Sequence, residues 1–175
     1  MLEVRGLTVA YGAEPVLEKV DLDVPQGGFV SLVGPSGSGK STVLRAVTRL
    51  LKPAAGDIRL EVEPREVGFL FQDDALLPWR TARQNVALGL RIRGIATDKA
   101  LGMADEWLGR LSLAGLEGRY PRQLSGGQRK RVALAQVLAL RPRLLLMDEP
   151  FASLDAIVRA RITQDVLRWV EHEHL

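Results

Sequence analysis

The sequence predicts an α/β fold with an antiparallel β lobe at its start and a helical lobe inserted ahead of its last strand. Three observations predict it. Alternating apolar runs fill residues 2–24. A strand-type run, a glycine loop and a helix-type run then follow one another over residues 29–51. Finally, helical periodicity replaces strand character for about 40 residues, until a dense apolar run ends in two carboxylates. A chain of 175 residues, 46% hydrophobic and 26% charged, suits one domain with an ordinary core. It has no cysteine, which excludes disulfides and thiolate metal sites. No apolar run approaches the roughly 20 residues that span a bilayer, and Met1-Leu2-Glu3-Val4-Arg5 is no signal peptide, so a soluble cytosolic protein is expected. The net charge of +3 is mildly basic. The densest cluster, Arg129-Lys130-Arg131, lacks interleaved aromatics and reads as a solvated helix face, not a nucleic-acid site.

Taken in order, Leu2, Val4, Leu7 and Val9 mark a first strand that ends at Tyr11-Gly12. On the residues alone, Tyr11 is as readily strand-end packing as a contact residue. Val20 to Val24 alternates as a second strand and stops at Pro25-Gln26-Gly27-Gly28. Phe29-Val30-Ser31-Leu32-Val33 reads as a buried strand, followed by a helix from about Gly39 to Leu51 that Lys52-Pro53 closes. Strands are expected again at residues 57–62 and 67–71. Ala75-Leu76-Leu77-Pro78-Trp79-Arg80 is a proline-broken apolar loop. Helices fill the stretch to Gly118, one of them with Leu101, Ala104, Leu108 and Leu111 in line behind Asp98 as its N-cap. A further helix begins near Arg129, Leu144 to Met147 is a strand buried on both faces, and Asp155 caps a last helix striped by Val158, Ile162, Val166 and Val170.

Gly34-Pro35-Ser36-Gly37-Ser38-Gly39-Lys40-Ser41 carries the chemistry. Between a strand and a helix, this spacing makes a phosphate cradle: the glycines let successive N–H groups converge on an anion, and the new helix adds its positive end. Lys40 is placed to reach the β- and γ-phosphates, and the Ser41 hydroxyl to ligate Mg²⁺. Asp148 and Glu149 close the last buried strand, where two acids cannot be core residues unless paired. They suit the metal and the attacking water of a bound nucleotide, with Asp148 on the metal and Glu149 polarising the water. Ser125 and Gln128 have capping-box spacing around Gly126 and Gly127. Two glycines in a first helical turn cost about 1 kcal/mol each against Ala, which makes sense if an anion must approach that backbone closely.

With the phosphate loop, Leu124-Ser125-Gly126-Gly127-Gln128 and the Asp-Glu strand all present, the chain resembles the nucleotide-binding subunits of ABC transporters over nearly its whole length. The resemblance implies a RecA-like P-loop NTPase core over residues 1–78 and 140–175, and a helical lobe over residues 79–139. It also implies that Tyr11 stacks on adenine, that Thr42 lies beside the α-phosphate, and that Gln72 senses Mg²⁺ and the membrane partner. On the same grounds Gly34, Pro35, Ser36, Gly37, Ser38, Gly39, Lys40, Ser41 and Thr42 bind ATP. Ser125, Gly126, Gly127 and Gln128 would close the site of a second chain in a head-to-tail sandwich. Ser41, Gln72 and Asp148 would hold Mg²⁺, and Glu149, Gln72 and Lys40 would serve hydrolysis. Ser153-Leu154-Asp155 resembles the D-loop.

The stretch 74–80 and Phe151 are similar to importers for nitrate, taurine and aliphatic sulfonates. Transmembrane permease subunits, a solute-binding protein upstream of them and a place on the inner face of the cell membrane are therefore expected. Gln136 stands where such subunits usually carry Arg. The family's switch histidine is absent, since His172 and His174 come too early, so the C-terminus is expected to be incomplete. The alternatives are a truncated or degenerate cassette that binds ATP with little turnover, and a soluble ABC-type ATPase without a transport partner. A zinc site at His172 and His174 is not expected, because positions i and i+2 of a helix face different ways.

Overall fold

The computed structural model describes residues 2–12, 14–150 and 163–164. Strand β1 (Leu2–Tyr11) lies between β2 (Glu14–Val24) and β3 (Ala55–Leu60), antiparallel to both. Its buried residues Leu2, Val4, Leu7 and Val9 break a strict period of two between Val4 and Leu7. A bulge repairs the phase, since the register shifts there and Gly6 takes φ 57°. The Gly6 N–H donates to the Asp21 carboxylate of β2 at 2.6 Å. All four apolar side chains thus reach one face.

A second sheet pairs β4 (Val67–Leu70) with β5 (Leu144–Met147) in parallel. As expected of a strand covered on both sides, β5 serves two clusters. Leu144 and Leu146 join β1 and Val43, Ala46 and Val47 of α1 (Lys40–Val47), while Leu145 and Met147 pack against the helical cluster. That cluster is built from α2 (Ala82–Ile92), α3 (Thr97–Arg110) and α4 (Gly126–Leu138). No described helix is long and apolar enough to cross a membrane.

Several boundaries differ from expectation. The helix after the glycine loop ends at Val47, four residues early, because the chain turns through Arg49 at φ 59° before Lys52-Pro53. The N-cap of α3 is Ala96, and Asp98 stands inside the first turn, where its charge complements the helix dipole without capping. Strand β2 begins earlier than its alternation suggested, at Glu14. The larger correction concerns residues 29–33, which form no strand. Phe29 is 64% and Val33 91% exposed. Among the described residues no strand pairs with this stretch, and residues 29–32 and β5 together line a cavity of about 380 Å³. Of the helix expected behind Asp155 only residues 163–164 are described, and they are helical; the D-loop, Phe151, His172 and His174 lie outside the described residues.

Candidate active site

The glycine loop is shaped by its own backbone. Pro35 accepts a hydrogen bond from the Ser38 N–H at 3.2 Å, which closes a tight turn. Gly39 then enters α1 with φ 89°, a left-handed angle that only glycine adopts freely, and a Cβ there would collide with the side chain of Leu17 on β2. Lys40, the first helical residue, folds back over the loop. Its ammonium donates to the carbonyls of Gly34 at 2.9 Å and Pro35 at 2.8 Å. The loop thus meets the N-terminus of α1 with the Lys40 ammonium held against its first two carbonyls, while the strand expected ahead of it is not formed.

Ser41 and Thr42 follow on the first turn of α1. Thr42 is buried, and the Ser41 hydroxyl donates to Asp148 at 2.7 Å, across 107 positions in sequence. Asp148 is 3% exposed, and its own N–H donates to the Leu70 carbonyl at 2.9 Å, extending the β4–β5 ladder by one rung. This rung aims the first carboxylate at the glycine loop. Glu149 comes next at φ 44°, an uncommon angle for a residue with a side chain. Its carboxylate accepts from the Gln72 side-chain amide at 3.0 Å. The structure thus joins Ser41 to Asp148 and Gln72 to Glu149, two pairings that no local pattern contains.

Ser41 and Asp148 are both oxygen donors within hydrogen-bond reach of one another. That donor set suits Mg²⁺, which takes one or two protein oxygens and completes its shell with phosphate and water. Among the described residues there is no cluster of three or more His, Cys, Asp or Glu able to hold a metal unaided. The residues present fit a magnesium that arrives with a nucleotide.

The expected box at residues 125–128 forms on both sides. The Ser125 hydroxyl accepts from the Gln128 N–H at 3.2 Å, and the Gln128 side chain accepts from the Ser125 N–H at 2.8 Å. A Cβ at Gly126 would meet only Arg129, at 3.8 Å, and Gly126 lies in ordinary helical backbone. Nothing within the described chain demands a glycine there. Among the described residues, no hydrogen bond links residues 125–128 to the 34–41 loop. Tyr11 stands half exposed at the end of β1, with no bond to that loop either.

The sequence reading missed three residues. Lys130 belongs to the basic cluster taken for a solvated face, yet it is 2% exposed. Its ammonium donates to the carbonyls of Phe71 at 3.0 Å and Gln72 at 2.8 Å. Burial pulls its pKa below the usual lysine range, against the opposing charges of Asp74, Asp73 and Asp148. Arg129 pairs with Asp74 at 3.2 Å and donates to the Leu124 carbonyl at 3.0 Å. Asn85 is fully buried, accepts from the Leu77 N–H at 2.7 Å and donates to the carbonyls of Leu77, Arg80 and Thr81, which fixes the apolar loop. Asn85 did leave a signal: a polar residue beside Ala82 and Val86 on the buried face of α2 needs local partners.

The family model for ABC transporters matches residues 17–152. The sulfate/thiosulfate import ATP-binding protein of Thermosynechococcus vestitus is 42% identical over 99% of this chain and 53% of its own length. The taurine import ATP-binding protein of Escherichia coli O157:H7 is 42% identical over 98% of this chain and 69% of its own. The chain spans about half the length of the cyanobacterial sulfate/thiosulfate relatives it matches. Among solved structures, the dimeric post-hydrolysis state of the ATP-binding cassette MJ0796 with ADP and Pi superposes with a TM-score of 0.89. It is 33% identical, and the match covers 99% of this chain and 84% of that one.

Proposed function

This chain belongs to the ABC transporter family, and from that premise we propose that it binds and hydrolyses ATP to energise import of a small solute of the nitrate, sulfonate or taurine kind. The observation that carries the reading is the Ser41–Asp148 hydrogen bond of 2.7 Å, which brings the glycine loop to the acidic end of β5. In this reading the loop N–H groups and Lys40 hold the β- and γ-phosphates, and Thr42 lies beside the α-phosphate. Ser41, Asp148 and Gln72 hold Mg²⁺. The metal supplies Lewis-acid stabilisation of the phosphate oxygens. Glu149 accepts the proton of a water aligned with the γ-phosphorus as the bond to ADP breaks, and Gln72 keeps that carboxylate aimed. Tyr11, exposed at the strand end, offers a ring for the adenine.

The bare backbone at Gly126 supports an approach by something other than this chain, namely the γ-phosphate held by a second copy. Two chains placed head to tail would then make two composite sites, with Ser125, Gly126, Gly127 and Gln128 of each closing the other. Trp79, 69% exposed on a loop pinned by Asn85, suits docking to transmembrane permease subunits at the inner face of the membrane. A second reading, ATP binding with little turnover, is favoured by one observation. Among the described residues no strand pairs with residues 29–33, which lead into the glycine loop, and Phe29, Val30 and Val33 are exposed.

ATP titration and phosphate release on the chain, beside Ser125→Arg, test the proposal. Binding to one chain should survive the substitution, and turnover and ATP-dependent dimerisation should vanish. Loss of monomer affinity equal to the loss of turnover refutes the composite site, and absence of ATP binding by the unaltered chain refutes the function. Binding without measurable phosphate release selects the second reading.

A further inference from the structure

We propose that Lys130 is a positioning residue: its ammonium ties the carbonyls of Phe71 and Gln72 to helix α4, so that the Gln72 side chain stays on Glu149 and the loop follows the helix that carries residues 125–128. The inference rests on the function proposed above and adds the device that couples its two halves. A lysine that is 2% exposed must satisfy its three donors inside the protein. Here two go to consecutive carbonyls 59 and 58 positions upstream, and the Asp74 carboxylate stands 3.8 Å away. Residues 71–73 have no regular secondary structure and are exposed, so little else fixes the backbone from which the Gln72 side chain springs. Lys130 sits just over one turn from the Ser125 N-cap, on a helix with a complete capping box. A displacement of that helix therefore reaches Gln72 through two hydrogen bonds and reaches Glu149 through one more. Lys40 and its loop share none of these bonds. The clamp should accordingly govern turnover and leave nucleotide affinity alone.

The test compares the full chain with Lys130→Met, which keeps the length and loses the donors, and Lys130→Arg, which keeps them. Amide hydrogen exchange, the ATP dependence of phosphate release and the melting temperature are read on each. Lys130→Met should speed exchange at residues 71–75 and lower kcat by about tenfold, the scale of one charge-assisted hydrogen bond, with KM for ATP within about twofold. Exchange in the 34–41 loop should not change, and Lys130→Arg should recover most of both effects. Unchanged exchange at residues 71–75 overturns the proposal. So does an arginine variant as impaired as the methionine one, or a global rise in exchange with unfolding in both, since Lys130 would then be a structural residue only. If the unaltered chain releases no phosphate, the functional reading fails, and the exchange comparison still decides whether the clamp exists.

Discussion

Two loops each donate one hydrogen bond to the acids that follow β5, and they are held in place by different means. The 34–41 loop depends on itself: a turn closed from Ser38 to Pro35, a left-handed Gly39, and Lys40 folded back on Gly34 and Pro35. The 72–74 loop depends on α4, whose Arg129 and Lys130 reach it across 55 to 59 positions. A locally built loop can recognise phosphate whatever the rest of the molecule does. A loop held from a distant helix reports where that helix is. Under the proposed function, in which a second copy closes the site before hydrolysis, recognition suits the first construction and permission suits the second.

The largest effect expected lies on the local side. Lys40→Ala removes the cation at the centre of the loop, and a lost pair of charge-assisted contacts is worth about 3 kcal/mol, or roughly a hundredfold in ATP affinity. Isothermal titration measures it directly. An unchanged dissociation constant would break the comparison at its first term, because the loop would not be the recognition element.

Next in size, Glu149→Gln should lower turnover by roughly 10²- to 10⁴-fold, the range of a lost general base, while ATP affinity stays put. The amide can still accept from Gln72, so the far side of the site keeps its geometry and loses its chemistry. Single-turnover phosphate release and a binding titration on the same sample separate the two. Unaltered turnover would remove Glu149 from its role.

Gly39→Ala acts on the local loop through strain, not charge. The alanine must adopt φ near 89° and push its Cβ into Leu17. The left-handed angle alone costs about 1–2 kcal/mol, a fall of several degrees in melting temperature for a chain of this size. ATP affinity should drop with it, since the N–H groups of the turn lose their convergence. A melting temperature within one degree of the unaltered chain, in a thermal scan, would show that the loop is not held by this angle.

The same contrast explains how much of the molecule was legible in its sequence. The 34–41 loop, the capping box at Ser125 and Gln128, and the acid pair after an apolar strand are short-range patterns, with their physics contained in a few residues. The pairings Ser41–Asp148 and Gln72–Glu149 span 107 and 77 positions, and residue chemistry named the partners without showing that they touch. Lys130 was misread because three consecutive basic residues look solvated. One of them, a turn along a helix that packs against β4, falls on the inward face. The stretch 29–33 was misread for the opposite reason: its pattern is that of a strand, but a strand is a relation to a neighbour, and among the described residues none pairs with it.

The smallest expected effect sharpens the comparison most. Asp74 pairs with Arg129, whose side chain is 40% exposed, and stands near the ammonium of Lys130 without hydrogen-bonding it. Water and salt screen a pair of that kind, so Asp74→Ala should cost only about 0.5 kcal/mol of stability, one or two degrees in melting temperature. The two carbonyls that hold Lys130 belong to Phe71 and Gln72 and survive the substitution. Turnover should therefore fall by no more than about twofold, with ATP affinity unchanged, and raising the salt concentration should shrink the difference further. The decisive measurement is the ratio of kcat for Asp74→Ala to that for Lys130→Met. A ratio of about five to ten means that the loop is held by its backbone carbonyls, through donors aimed from α4. A ratio near one would mean that a surface ion pair does the holding, and the contrast between a self-built loop and a loop steered from the helix would reduce to ordinary electrostatics.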